Sequence, residues 1–305
     1  MLTLEKIFCS TDLRPGNDEA LSYALALAKA YEAKLYVCHA LAESPVTDDT
    51  QLRQPIATML EQHCYHTPTG CPGLPDWEPI LAVGDPAETI TREAAQHHAD
   101  LIVMHSRRQS YAATLLGSTA EAVSRTAPCP VLITHPDERE WVNPTTGEIR
   151  LKTILMPYDF SNDSEVALMF ALMLAEEYQS ELHLLHVLPP HTGASFVLAE
   201  EEEFREAVRQ LQDAVPEEAK LWCNLKTVVR EGKPYREILE YADAHEVDLI
   251  CMGVRGAGFG MQALFGSNVD RVLRQSPCPI LLARPLKPAS FVLAEAKVEA
   301  ALSEA

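Results

Sequence analysis

Basic residues are scarce in this chain of 305 residues, which has 25 lysines and arginines against 44 aspartates and glutamates and a formal net charge of −19. Such a charge argues against a nucleic-acid backbone or an anionic membrane as the binding partner. The sequence also lacks an apolar run of about 18 residues, so no segment is predicted to span a membrane. A basic segment followed by an apolar one is missing at the N-terminus, and a secretory signal is therefore not expected.

Paired Cys-x2-Cys motifs are absent, although the chain has eight cysteines. Several of them lie in or beside strand-like apolar runs: Cys9, Cys38, Cys129, Cys251 and Cys278. This placement predicts buried, reduced thiols rather than disulfides, and a cytoplasmic location. Cys129 and Cys278, each within a Pro-Cys-Pro motif, are predicted to be small core residues.

One segment combines residue types that ligate metals, namely His63, Cys64, His66 and Cys71. Their spacing does not match a standard zinc signature. A solvated loop is the favoured interpretation, with metal binding as the alternative. We predict no metal site for the chain.

An internal duplication is present in the sequence. KIFCSTD, which begins at Lys6, matches TILMPYD, which begins at Thr153. KLYVCHAL at Lys34 matches ELHLLHVL at Glu181. Farther along, both halves contain Asp-Leu-Ile, Gly-Ser and Pro-Cys-Pro in the same order. The chain is therefore predicted to contain two copies of one domain.

Short apolar runs alternate with amphipathic stretches in each half, a pattern typical of βαβ units and a parallel sheet covered on both faces. The predicted strands of the second half are Thr153–Tyr158, Leu182–Val187, Leu225–Val229, Leu249–Met252 and Ile280–Leu282. Asn162 and Glu165 resemble a capping box at the start of the first helix of that half. The pattern predicts an α/β protein of two tandem Rossmann-like doubly wound domains, each with a five-stranded parallel sheet flanked by helices.

We place the first domain at residues 1–136, a polar linker at 137–150, the second domain at 151–285 and a C-terminal tail at 286–305. The last predicted strand of each half is an apolar sheet edge that needs covering, so the two domains are expected to pack as a pseudo-symmetric pair. A homodimer remains an alternative. The segment ASFVLAE occurs both at 194–200 and at 289–295. This repeat is either a coincidence or a sign that the tail competes for the docking surface of a helix.

Glycines distinguish the second half from the first. Gly253, Gly256 and Gly266-Ser267 have the spacing G-x2-G-x9-G-S after a predicted strand. Glycine lets backbone N–H groups approach a phosphate closely, and a helix N-terminus attracts negative charge. Asp159 and Val187 end the first two strands of this half, where ligands of open parallel sheets bind.

This loop, the following helix and the Pro-Cys-Pro before the last strand resemble those of ATP-binding universal stress protein domains. The resemblance covers both halves and implies a tandem universal stress protein. It implies that adenine, ribose and phosphates, as ATP with Mg²⁺, bind in the second half. The candidate binding residues are Pro157, Asp159, Val187, Met252, Gly253, Arg255, Gly256, Gly266, Ser267 and Asn268. Members often carry a further hydroxyl residue after the Gly-Ser, whereas Asn268 and Val269 follow here.

The first half keeps Asp12, Gly117 and Ser118, but His105 and Arg108 stand where two of the loop glycines are expected. Together with Arg107, these residues replace the glycines with charge and bulk. The favoured interpretation is a degenerate domain that no longer binds nucleotide. The alternative is a different anionic ligand held by the arginines.

The resemblance implies a cytoplasmic stress-response protein that acts as a regulatory or protective nucleotide-dependent module. No catalytic residue is predicted, because the motifs supply no obvious catalytic pair. Slow ATP hydrolysis or autophosphorylation remains open. An enzyme of the nucleotidyl-transfer type is a rival, but it would need a His-x-Gly-His or Ser-Gly-Gly-x-Asp motif, and neither occurs. A ligand-free interaction module is the third hypothesis.

Overall fold

The computed structural model describes residues 3–13, 19–41, 54, 56–58, 60, 74–106, 117–136, 138–144, 146–190, 197–255 and 266–284. The first half contains the elements β1 (Lys6–Ser10), α1 (Glu19–Ala30), β2 (Lys34–Leu41), β3 (Trp77–Val83), α2 (Pro86–Gln96), β4 (Leu101–His105), α3 (Ser118–Thr126) and β5 (Val131–Thr134).

The second half repeats this order, with two helices described between its second and third strands. Its elements are β6 (Thr153–Pro157), α4 (Asn162–Tyr178), β7 (Glu181–Leu188), α5 (Val197–Ala214), α6 (Glu217–Lys220), β8 (Asn224–Glu231), α7 (Pro234–Ala244), β9 (Leu249–Gly253), α8 (Ser267–Gln275) and β10 (Ile280–Ala283). All five strands predicted for this half are present.

The strands form one ten-stranded sheet in the order β3-β2-β1-β4-β5-β10-β9-β6-β7-β8. Within each half every pairing is parallel, as predicted. The strand order reverses between β6 and β9, because β7 and β8 extend the sheet to one side and β10 to the other. The carboxyl ends of β6 and β9 therefore border the crevice where doubly wound sheets bind ligands.

The two halves join through their last strands, β5 and β10, which pair antiparallel. In this pairing Leu281 lies opposite Leu132, and Ile280 lies opposite Ile133. All four residues are buried, so each apolar edge covers the other. The predicted pseudo-symmetric domain pair is thus confirmed, and it has the form of one continuous sheet.

Two apolar layers cover the sheet, one on each face, and each layer extends across both halves. On one face α1, α4 and α5 contribute residues such as Leu21, Phe170 and Leu211. On the other face α2, α3, α7 and α8 contribute residues such as Ile90 and Val272. Helices on both faces are the doubly wound arrangement predicted from the sequence.

Residues 137–150 were predicted to be a polar linker, but part of this segment packs against the domains. The Trp141 side chain is buried and meets the Tyr23 ring edge-on at 4.7 Å, while the Trp141 backbone N–H donates to the Tyr23 hydroxyl. Val142 and Ile149 form an isolated antiparallel bridge. The few apolar residues of the segment thus find buried partners, which its average polarity did not predict. The domain boundaries themselves stay a prediction.

Candidate functional site

A cleft opens at the carboxyl ends of β6, β7 and β9 in the second half. Its walls contain most of the residues predicted to bind a ligand: Pro157, Asp159, Val187, Met252, Gly253, Arg255, Gly266 and Asn268. Ser267 is exposed at the start of α8 and is not among the cleft-lining residues. Gly256 lies outside the described residues. The structure thus brings together eight of the predicted residues, and their role in binding stays a prediction.

Sequence reasoning missed several other cleft residues, namely Tyr158, Ser164, Leu185, His186, Pro234, Ile238 and Val269. Most of them are apolar or belong to the body of an element, so they carry no motif. Pro234 stands at the first turn of α7, the position that the sequence predicted for it. Together they give the cleft an apolar wall beside its polar loop.

Asp159 is fixed by the turn that leads into α4. Its Oδ1 accepts from the backbone N–H of Ser161 at 3.2 Å and from the Ser161 hydroxyl at 2.6 Å. Phe160 between them has a positive φ of 62°. Leu13, which follows Asp12 in the first half, has a φ of 58°. In both copies the residue after this aspartate therefore adopts a left-handed backbone conformation, which turns the chain.

The capping box predicted at Asn162 and Glu165 is wrong by one position. Ser161 is the N-cap, and its hydroxyl oxygen accepts from the backbone N–H of Ser164 at 3.2 Å. Asn162 is the first helical residue. Serine is a favoured N-cap residue, and the Ser161 hydroxyl also donates to Asp159.

His186 ties the end of β7 to the end of β6. Its Nδ1 donates to the carbonyl of Tyr158 at 2.7 Å, because a carbonyl oxygen can only accept. His39 makes the same contact with Thr11 in the first half, at 2.9 Å. Since both halves keep this hydrogen bond, the repeated histidine joins the ends of the first two strands in each domain.

Gly253 ends β9 at the floor of the cleft. A Cβ on this residue would stand 2.6 Å from the carbonyl carbon and oxygen of Asp163 in the first turn of α4. The sequence suggested that this glycine admits a phosphate. The structure adds a second reason for it, because the glycine also lets α4 approach the sheet closely.

Asp163 and Arg255 form an ion pair beside the cleft. The Oδ2 atom of Asp163 accepts from the backbone N–H of Arg255 at 3.0 Å and from its Nε at 3.2 Å. Sequence reasoning missed Asp163, since nothing in the local sequence connects it with a loop so far along the chain. Arg255 was predicted to supply positive charge, and it does line the cleft.

The helix α8 begins at the cleft without a side-chain cap. Gly266 is its N-cap residue, and its N–H donates to the Val254 carbonyl at 3.2 Å. The first backbone N–H groups after it have no partner within the helix. Such a terminus carries a partial positive charge of about half an elementary charge. The arrangement can therefore hold an anion at this side of the cleft.

The first half differs at the position that corresponds to Gly253, which is occupied by His105. Its Nδ1 lies 3.5 Å from a carboxylate oxygen of Glu19 and 3.3 Å from the hydroxyl of Thr134. Burial lowers the pKa of His105. The first half therefore has an imidazole where the second half has a glycine that is packed against α4. Gly117 is the N-cap of α3 and, like Gly266 at the start of α8, provides no side-chain cap. Arg107 and Arg108 lie outside the described residues.

The repeated Asp-Leu-Ile motif has a structural explanation in both halves. Asp100 accepts from the backbone N–H groups of Glu5 and Lys6, each at 2.9 Å. Asp248 accepts from Lys152 at 2.8 Å and from Thr153 at 2.9 Å. Each aspartate thus anchors the start of the first strand of its domain and has no place in the cleft.

The cysteines agree with the predicted reduced state. Cys9, Cys38, Cys129, Cys251 and Cys278 are free and buried, and burial raises the pKa of the Cys38 thiol to about 12. In the described part of the chain, no group of three or more His, Cys, Asp or Glu residues is arranged to hold a metal ion. His63, Cys64, His66 and Cys71 lie outside that part. Of the helices that the structure describes, none is both long and apolar enough to cross a membrane.

Comparison with known proteins identifies the family. The model of the universal stress protein family matches this chain twice, over residues 3–135 and 150–284. A universal stress protein of Methanocaldococcus jannaschii is 30% identical over 151 residues, which are 46% of this chain and 86% of that protein. One of Synechocystis is 34% identical over 137 residues, which are 45% of this chain and 87% of that protein.

Solved structures show the same architecture over the whole chain. A universal stress protein from Archaeoglobus fulgidus aligns over 92% of this chain and 98% of its own, with a TM-score of 0.62 and 22% identity. A protein from Pseudomonas aeruginosa aligns over 93% of this chain and 94% of its own, with a TM-score of 0.67 and 20% identity. At these identities the likeness concerns the fold.

Proposed function

Because the chain belongs to the universal stress protein family, we propose that its second domain binds ATP or a related adenine nucleotide. The protein then acts as a regulatory or protective module that responds to this nucleotide in the cytoplasm. Binding rather than rapid turnover is the proposed activity. The partner is a small anionic molecule, and nucleic acid and anionic membranes are disfavoured by the net charge of −19.

The observation that carries this proposal is the cleft at the point where the strand order reverses. The residues that line it include Gly253, Arg255, Gly266 and Asn268. The uncapped start of α8 faces the same region and favours negative charge. An adenine nucleotide would place its phosphates there.

Other residues that line the cleft suit the base and the ribose. Val187 and Met252 offer apolar surface, and the Asp159 carboxylate can accept from an adenine amino group or a ribose hydroxyl. Mg²⁺ would arrive with the phosphates, because it keeps several waters and needs only one or two protein carboxylates.

The two halves are proposed to differ in function. At the position of Gly253 the first domain has His105, whose ring contacts Glu19 and Thr134. The first domain would then serve as a partner that completes the sheet and buries the β10 edge. Its alternative role, the binding of another anion through Arg107 and Arg108, predicts a second site.

The experiment that tests the proposal starts from protein purified without added nucleotide. Acid releases the bound small molecules, which are identified by mass, and calorimetry then measures the binding of added MgATP. Intact ATP and one site per chain support the proposal. AMP, ADP or pyrophosphate that accumulates with time supports the rival enzyme. An empty protein that binds no added nucleotide supports the ligand-free interaction module.

A matched variant sharpens the test. Gly256→Arg gives the second loop the residue that the first loop has at Arg108. A long side chain at this position blocks the approach of a phosphate to the loop backbone. The variant should lose MgATP binding, whereas Arg108→Gly should not reduce it.

A further inference from the structure

We propose that Asp163 is a specificity-determining residue of the cleft, because its carboxylate holds Arg255 as a neutral pair for which a phosphate group must compete. This inference rests on the proposed nucleotide site. It adds a residue of α4 that the sequence motif does not contain. It also predicts how affinity changes with the charge of the ligand.

The geometry of the pair is asymmetric. A single carboxylate oxygen, Oδ2, accepts both from the backbone N–H and from the Nε atom of Arg255. The carboxylate thus accepts from two donors that a phosphate oxygen could also use. Backbone N–H and guanidinium groups are the usual donors to phosphate.

Asp163 is the fixed member of the pair. Its backbone is packed against Gly253, and its carboxylate lies in the first turn of α4, where the helix dipole favours negative charge. Its side chain is 17% exposed, against 55% for that of Arg255. Arg255 is therefore the member that can turn towards a ligand, and it already lines the cleft.

The half-buried Arg284 adds a second reason for a carboxylate at this place. Burial lowers the pKa of Arg284, and Asp163 partly offsets this while Arg255 adds to it. Asp163 thus lies within electrostatic range of two guanidinium groups. Its charge reduces the positive potential that a polyphosphate meets at the mouth of the loop.

The consequence is a selectivity that depends on ligand charge. With Asp163 present, a highly charged triphosphate is repelled by the carboxylate and must also compete with it for Arg255. An uncharged nucleoside experiences neither effect. Asp163→Asn removes the charge but keeps an oxygen that can accept from the Arg255 N–H. The substitution should therefore separate the electrostatic effect from the positioning of the loop.

The test is calorimetry with adenosine, AMP, ADP and ATP on the full chain and on D163N. We expect ATP to bind about three to ten times more tightly to D163N, and adenosine to change by less than about twofold, because the interaction scales with ligand charge and is reduced by salt. When D163N is combined with Arg255→Gln, the increase in ATP affinity caused by D163N should be smaller. An equal change for all four ligands, or none for ATP, would overturn the inference.

Two further measurements keep the result decisive. Thermal unfolding of each variant checks that the fold is intact, and Asp163→Ser serves as the second variant if D163N does not fold. Tripolyphosphate is titrated in parallel, since its competition for Arg255 needs no adenine site. The proposed function is overturned if neither the unmodified chain nor D163N binds any adenine compound. This inference is overturned separately if D163N and the unmodified chain bind tripolyphosphate with the same affinity.

Discussion

Gly253 and Asp163 are in such close contact that a Cβ on Gly253 would lie 2.6 Å from the backbone carbonyl of Asp163. The contact joins the end of β9 to the first turn of α4. No residue with a side chain fits at Gly253 unless the helix moves. Since the ion pair between Asp163 and Arg255 depends on the same approach, this one glycine sets the shape of the loop side of the cleft.

Gly253→Ala should therefore destabilise the protein by about 1 to 3 kcal/mol, as overpacking of a core usually does. It should also abolish the binding of MgATP, because α4 must move to admit the added Cβ and its displacement distorts the floor of the cleft. Chemical denaturation and calorimetry measure the two effects.

Gly147→Ala is the control for this variant. Gly147 has a φ of 67° and no heavy atom within 4 Å of an added Cβ, so the change strains the backbone without touching the cleft. It should lower stability and leave nucleotide affinity intact. Wild-type affinity in Gly253→Ala would show that α4 does not shape the site.

The glycine pattern was sufficient to predict the position of the cleft, but not all the residues that shape it. Strand ends and helix starts follow from local apolar periodicity, so the sequence placed Asp159, Val187 and Gly253 around one crevice. Asp163 was not predictable in this way, because its partners are contributed by β9 and the following loop. Contacts of this kind arise from the packing of α4 on the sheet, which leaves no trace in the local sequence.

Val187→Trp should prevent nucleotide binding, since the side chain lines the cleft and a tryptophan would fill the space for the base. Affinity should fall by more than about tenfold, which corresponds to about 1.4 kcal/mol. Ala40, the corresponding residue of the first half, supplies the matched control. Ala40→Trp should keep the stoichiometry at one nucleotide per chain; a drop from two sites to one would show that the first domain also binds.

Nucleotide should stabilise the second domain selectively. A ligand that binds only the folded state adds roughly 2.7 kcal/mol at a hundred times its Kd. Hydrogen exchange with and without MgATP should show protection at 253–255 and 266–269 and near Asp159. MgATP should cause no additional protection at His105 and Ser106. Equal protection in both halves would assign a working site to the first domain.

The joint between the halves shows another limit of sequence reasoning. The apolar edges of β5 and β10 predicted that the domains cover each other, and they pair as expected. The packing of Trp141 on Tyr23 was not predicted, because the surrounding segment is polar on average. The burial of one aromatic residue, Trp141, fixes this segment against the first domain. The average composition of the segment does not indicate such a contact.

Leu281→Lys should separate the two halves. Leu281 is buried opposite Leu132 at the joint, and a charge buried there without a partner is strongly unfavourable. Solution scattering should change from a compact particle to a more extended one, or the protein should aggregate through the exposed edges. Leu221→Lys is the control, because Leu221 is 88% exposed. A compact, stable Leu281→Lys protein would contradict the role given to this strand pair.

Acidification should destabilise the protein through His183. This residue is 3% exposed, and its Nδ1 lies 3.1 Å from the Tyr241 hydroxyl. Burial is the main cause that lowers the pKa of His183; Lys226 and His245 lower it further, and Glu181 opposes the change.

Because the pKa of His183 is lower in the folded state than in the unfolded chain, unfolding takes up a proton at mildly acidic pH. The stability that the neutral ring provides is complete above the unfolded pKa of about 6.5 and is lost as the pH falls towards the folded pKa. For one group, the loss is at most about 1.4 kcal/mol per pH unit.

His183→Gln removes the titrating ring and keeps a side-chain amide that can bond to the Tyr241 hydroxyl. We expect this variant to be less stable than the wild type at pH 8, because it packs less well, but to lose less stability between pH 7 and pH 5. Urea unfolding at several pH values measures both quantities. His98→Asn is the control, since His98 is exposed and asparagine tolerates its positive φ of 55°. If the wild type and His183→Gln show the same dependence of unfolding free energy on pH, His183 does not sense acid. The half-buried His105, whose pKa is also lowered by burial, then becomes the residue to test.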